Sequence, residues 1–192
     1  MKKILLISTA SVMLAMSINA DLFSLFGDDD EHEYKNKSYQ KNYKLPTNNT
    51  PEYKLYMNEC SSCHMGYQAE FLPKRSWVKM MQGLDDHFGV DATVEKEDYE
   101  KILNYLISNS SDSKATSGYY SKLSRSIPTS STPIRISEIP KFVREHRELS
   151  KKMITQKEVK SIANCNACHT QAENGIYSER SINIPNYGRW DD

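Results

Sequence analysis

Two five-residue segments carry the same reactive pattern: Cys60-Ser61-Ser62-Cys63-His64 and Cys165-Asn166-Ala167-Cys168-His169. Between them they use all four cysteines of the chain. Two thiols three positions apart can add to the two vinyl groups of one porphyrin. A histidine directly after the second thiol is then held under the ring, where its imidazole reaches the iron. This spacing is the attachment pattern of a c-type haem. The expected cofactors are two haem c groups, bound covalently through Cys60, Cys63, Cys165 and Cys168, with His64 and His169 as proximal iron ligands.

Other uses of paired cysteines fit less well. Zinc ribbons space their two pairs about 15–20 residues apart, whereas here the second pair starts 105 positions after the first. A histidine after each pair is also superfluous for all-cysteine zinc ligation. A thioredoxin-type pair needs a strand-helix-strand setting, and neither segment shows one. A disulfide across three positions closes too small a loop to stabilise much.

Each iron has a sixth position to fill or to leave open. Five histidines are present. His64 and His169 are proximal, and His32 lies in a polar lead-in. His87 and His146 remain, each on or beside an apolar helix face, where an unpaired imidazole is a cost. His87 follows His64 by 23 residues and His146 precedes His169 by 23. Locality pairs His64 with His87 and His146 with His169, and a crossed arrangement stays open. Met57, Met65, Met80, Met81 and Met153 compete as ligands, and a methionine would raise the reduction potential. Arg144, Glu145, Arg147 and Glu148 around His146 also suit a solvated face.

The elements that must position these residues start after an export signal. Lys2 and Lys3 precede an apolar run of 13 residues, Ile4 to Met16, too short to span a bilayer. Ser17-Ile18-Asn19-Ala20 suits cleavage after Ala20, making residues 1–20 a signal peptide. Thioether attachment takes place outside the cytoplasm, so the expected location is a bacterial periplasm. Removing 20 of the 192 residues leaves 172. The mature charge is 23 basic against 25 acidic residues, a net of −2, which gives no sign of nucleic-acid binding. With 38% hydrophobic residues and a mean hydropathy of −0.68, the chain is short of core. Porphyrin surface is expected to complete it.

Residues 21–49 read as a flexible polar lead-in, with an acidic run at Asp28-Asp29-Asp30-Glu31. A first haem lobe spans 50–107. There a helix starts at Pro51 behind Thr50, with Tyr53, Tyr56, Met57 and Cys60 on one face. A second helix is predicted from Trp77 to Phe88, capped by Ser76, stopped by Gly89 and carrying His87 at the edge of its apolar stripe. A third runs from Val94 to Ile107. Residues 108–133 read as a Ser-rich linker or surface loop, onto which Tyr119 and Tyr120 can anchor. The second haem lobe and C-terminal tail take 134–192. A helix from Pro140 presents His146, and a capping box at Thr155-x-x-Glu158 starts a helix that runs into the second motif. Asn174-Gly175 marks a turn, and Ile182, Ile184, Pro185, Tyr187 and Trp190 pack the tail back onto a haem. No strands are expected. The fold class is all-α with extensive irregular loops, as two helical lobes around two covalent haems.

The segments W-V-K-M-M-Q-G-L-D-D-H-F-G-V-D-A (Trp77 to Ala92) and I-P-K-F-V-R-E-H-R (Ile139 to Arg147), set between the two haem motifs, resemble the dihaem cytochrome c family of bacterial periplasmic proteins. The similarity covers most of residues 50–185. It implies a helical two-lobed fold with bis-histidine, low-spin, low-potential haems, and His87 and His146 as the distal ligands. It also implies redox partners: a membrane b-type cytochrome as donor and, in some members, a small monohaem cytochrome as acceptor. Closing both irons leaves outer-sphere electron transfer, with no small-molecule substrate and no catalytic residue. A dihaem peroxidase-like enzyme would need one open haem. A haem-based sensor module would need a conformation that responds to its ligand.

Overall fold

Thr50 starts the first helix, α1 (Pro51–Cys60), as the spacing predicts: its side chain accepts from the Tyr53 amide at 3.1 Å, and Pro51 opens the first turn. The structure, a computed structural model, describes residues 49–114 and 116–190. The expected signal peptide, nearly all of the expected lead-in and His32 lie outside the described residues. Five more helices follow: α2 (Lys74–Gln82), α3 (Lys96–Ser108), α4 (Gly118–Ser126), α5 (Pro140–Glu145) and α6 (Lys151–Thr155). Single 3-10 turns lie between some of them, including Ala69–Phe71, and three more follow α6, the first at Cys165–Ala167. Among the described residues no helix is long and apolar enough to cross a membrane.

The core forms where α1 and α2 pack on α3, and α4 packs on the Ala69–Phe71 turn and on α5. Tyr56, Leu72, Trp77, Ile102, Leu106, Leu123 and Ile139 are buried there. Their polar atoms are satisfied locally. The Trp77 indole donates to the Ala69 carbonyl at 2.7 Å, and the Tyr56 hydroxyl donates to the Tyr67 carbonyl at 2.7 Å.

Four expectations need correction. The second helix begins three residues earlier than predicted and stops at Gln82, not Phe88. Its cap comes from a distance, since Asp112 accepts from the Lys74 amide at 2.8 Å. Ser76, expected to cap it, is buried inside the helix with an unpartnered hydroxyl. The Ser-rich stretch 108–133 is not a bare loop. It contains α4, which buries Tyr120 and Leu123, and the Arg75 guanidinium donates to the Ser131 carbonyl at 2.8 Å.

The predicted capping box at Thr155 does not start a helix. The Thr155 hydroxyl bonds back to the Lys151 carbonyl at 3.0 Å, closing α6. Glu158 instead accepts from the Asn186 amide group at 3.2 Å, and Lys160 takes a left-handed φ of 67° that breaks any helix there. Strands also occur, against expectation. β1 (Asn183–Ile184) pairs antiparallel with β2 (Gly188–Arg189) around a tight turn. This small hairpin buries Ile184 and leaves the class mostly helical with much irregular structure.

Candidate haem sites

α1 delivers the first motif. Cys60 is its last residue and Ser61 caps its C-terminus, with both the Ser61 amide and its hydroxyl bonded to the Met57 carbonyl. The chain then doubles back closely. A Cβ on Gly66 would stand 2.6 Å from the Met57 sulfur, so a larger residue there would have to displace the Met57 side chain. His64 projects from the loop, and its Nδ1 shares a hydrogen with the Met65 carbonyl at 2.7 Å.

His87 does not ride on a helix, as the sequence suggested. Gly83 ends α2, and a 3-10 turn leads into a tight loop in which His87 and Val90 exchange backbone hydrogen bonds of 2.8 and 3.3 Å. Asp86 accepts from the Gly89 amide at 2.9 Å, and Gly89 adopts a φ of 92° that a side chain would oppose. The Arg135 guanidinium stacks 3.8 Å over the Phe88 ring and ties the loop to the body. The result places the His87 ring 6.2 Å from the His64 ring, centroid to centroid, with an interplanar angle of 24°.

The second motif sits on a 3-10 turn, with the His169 amide bonded to the Cys165 carbonyl at 2.8 Å. The tail clamps it: the Asn183 amide donates to the Cys168 carbonyl at 2.9 Å, and His169 bridges to Ile182. His146 caps the C-terminus of α5. Its Nδ1 meets the Phe142 carbonyl at 2.9 Å, and the same carbonyl also accepts from the His146 amide at 3.1 Å. The ring also stacks on Phe142 at 3.9 Å. It lies 6.1 Å from the His169 ring at 66°. Each proximal histidine therefore has one of the two remaining described histidines opposite it.

These residues can be tested against haem. Two imidazoles on one metal, each with a bond of about 2 Å and a ring centroid about 1.2 Å behind its nitrogen, stand roughly 6.4 Å apart. Both observed separations come within a few tenths of an ångström of that. Metal-bound histidines usually give their second ring N–H to a carbonyl, and the His64 and His146 Nδ1 atoms face one, leaving Nε2 for iron. The His169 Nδ1 is buried with no partner. Burial, reinforced by His146, lowers the pKa of His169 to about 4, and burial, then His64 and Arg135, lowers that of His87. Both are thus held as the neutral imidazole a metal needs.

The apolar residues Phe88 and Val90 beside His87, and Val143 three before His146, stand exposed. Burial pushes the Cys60 and Cys165 thiols up to about 11, which disfavours the thiolates a zinc site needs. Among the described residues no three His, Cys, Asp or Glu side chains converge as a zinc site requires. Of the competing methionines, Met81 is buried in the core and Met57 and Met80 pack against it.

Two residues near the sites were not singled out from the sequence. Tyr67 lies 5.0 Å from the His64 ring and Tyr177 lies 5.3 Å from the His169 ring. Tyr67 stands only three positions after His64, which is the one sequence signal that could have drawn notice to it.

Residues 56–177 match the family model described as dihaem cytochrome c. The chain is 42% identical to the solved dihaem cytochrome c from Rhodobacter sphaeroides, covering 65% of this chain and 95% of that one with a TM-score of 0.58. It is 32% identical to the dihaem c-type cytochrome from Shewanella baltica OS155, covering 74% and 100% with a TM-score of 0.61. No match is found among curated proteins. With both attachment motifs inside the matched segment, the chain belongs to the dihaem cytochrome c family and carries two c-type haems.

Proposed function

We propose that the protein is a periplasmic electron carrier whose two haems are each closed by a histidine pair, His64 with His87 and His146 with His169. The observation that carries this reading is the placing of those rings at 6.2 and 6.1 Å, a spacing suited to one metal between each pair. When bound, the haems supply reversible one-electron chemistry. The chain's own part is to hold and tune them. The four cysteines anchor the groups, the His64 and His146 Nδ1 contacts to carbonyls fix the tautomers, and Phe88, Val90 and Val143 shield the faces.

Imidazole pairs favour the lower part of the ~0.8 V range that axial ligands command, so both potentials are expected to be low. A peroxidase-like enzyme needs an open sixth position, which a distal histidine at each site opposes. The same holds for a gas sensor. The partners expected for such a carrier are a membrane b-type cytochrome as donor and a small monohaem cytochrome as acceptor. The export signal in residues 1–20 supports the periplasmic location. A redox titration followed by optical and EPR spectra tests the reading. Two low-spin haems with low potentials are expected. A high-spin haem, or one that binds CO rapidly, would refute it.

A further inference from the structure

The two attachment motifs are 105 positions apart, yet side chains that follow the first are bonded to backbone flanking the second. The Tyr67 ring packs against the His64 imidazole at 31°. Its hydroxyl donates to the Ala163 carbonyl at 2.7 Å, two residues before Cys165. The next residue, Gln68, donates to the Ala172 carbonyl at 2.9 Å, three residues after His169, and accepts from the Tyr177 hydroxyl at 2.6 Å. Tyr177 in turn packs against the His169 ring. One tyrosine therefore faces each proximal histidine, and the adjacent residues Tyr67 and Gln68 join the two sides.

Core packing does not explain this hydroxyl. Tyr67 is only partly buried, and a phenylalanine would fill the same space. Burial raises the phenol's pKa, so it stays a neutral donor throughout the physiological range. From His64 to Cys165 the route through Tyr67 is one ring contact, one hydrogen bond and a short run of backbone. Along the chain the same two residues are 101 positions apart.

We propose that Tyr67 is the positioning residue of the junction between the two haem sites: its ring braces His64 while its hydroxyl bond to Ala163 sets the second motif against the first. The proposal rests on the electron-carrier reading above. One electron leaves one site and arrives at the other. Tyr67 is neither oxidised nor deprotonated, and no proton moves.

Two variants of the haem-loaded full chain separate the parts: Tyr67→Phe keeps the ring and removes the bond, and Tyr67→Leu removes both. Haem content and spin state are recorded first. Losing one neutral hydrogen bond should shift the closed-to-open balance of the junction about fivefold, so amide exchange around Asn164 and Cys165 should quicken by that factor in Tyr67→Phe. The rate at which an electron placed on one haem equilibrates with the other, read after photoreduction of half-reduced protein, should fall in Tyr67→Phe and fall further in Tyr67→Leu. If Tyr67→Leu fails to hold haem, Tyr67→Phe alone decides. A wild-type equilibration rate in Tyr67→Phe, with low-spin haems throughout, overturns the proposal and leaves the carrier reading standing. A high-spin haem in the unaltered protein would sink both.

Discussion

Replacing His64 and His87 together by alanine, with all four cysteines intact, should leave one low-spin haem. The geometry makes the outcome a whole number. In the local scheme both removed imidazoles belong to the haem on Cys60 and Cys63, so the haem on Cys165 and Cys168 keeps both ligands. In a crossed scheme each haem loses one imidazole and neither stays six-coordinate. The local scheme is favoured because the His64–His87 and His146–His169 rings stand 6.2 and 6.1 Å apart. A shared metal asks for roughly 6.4 Å, a gap that small side-chain rotations close. The structure also says which signal survives. The His146 and His169 planes are crossed at 66°, against 24° for the first pair. Crossed planes leave the iron orbitals that bond with the imidazoles closer in energy, which widens the EPR anisotropy. Spin counting by EPR and magnetic circular dichroism should therefore find one low-spin haem, the more anisotropic of the two. The single variants His87→Ala and His146→Ala should each convert one haem, and the His87→Ala/His146→Ala pair should convert both. No low-spin haem in the His64→Ala/His87→Ala protein refutes the pairing, and two low-spin haems refute both residues as ligands.

Two further outcomes follow from the surroundings of the second motif. Ile184 is 2% exposed in the hairpin that clamps Cys168 and His169, so Ile184→Ala should destabilise by about 2–5 kcal/mol, seen as a lower denaturation midpoint and earlier loss of the second haem's low-spin spectrum. For pH, burial lowers the folded pKa of His169 to about 4 from its ordinary 6.5. The unfolded chain then binds the proton first as pH falls, so stability is full above about 6.5 and is lost progressively down to about 4. Iron ligation, which needs the neutral imidazole, lowers the folded pKa further and so extends that loss to still lower pH. Denaturation midpoints that rise between pH 6.5 and 4.5 would contradict this.

The attachment motifs, the class of fold and α1 were legible because each depends on residues within a few positions: Thr50 with Tyr53, or Cys60 with His64. Features set by distant partners were not. The start of α2 depends on Asp112, 38 residues past Lys74. The helix foreseen after Thr155 does not form: Lys160 turns left-handed, and Glu158 bonds to Asn186, 28 residues on. α4 carries its own signal, since Tyr120, Leu123 and Ile127 recur at helical spacing, but serines between them masked it. His87 was marked as a distal ligand for its place on an apolar stripe. It reaches the same ring partner from a loop instead, because Gly83 ends α2 and the Asp86–Gly89 turn redirects the chain.

The thin core now has a location. Most buried apolar residues belong to one cluster built from α1 to α5, and that cluster supports the first motif directly through Tyr56 and Cys60. Past Phe142 only Val159, Ala172 and Ile184 are buried among the described apolar residues, and none belongs to that cluster. The second motif is held instead by backbone bonds to the tail and by the Tyr67, Gln68 and Tyr177 contacts. Backbone bonds in exposed, irregular segments open readily, and few apolar contacts resist that opening here. The apolar surface of the second haem is therefore what that half of the chain folds against, whereas the first haem docks onto a core that already exists. A junction between one site with its own core and one without is where a single hydrogen bond counts most, which is why Tyr67 rather than a buried core residue governs how the two sites meet.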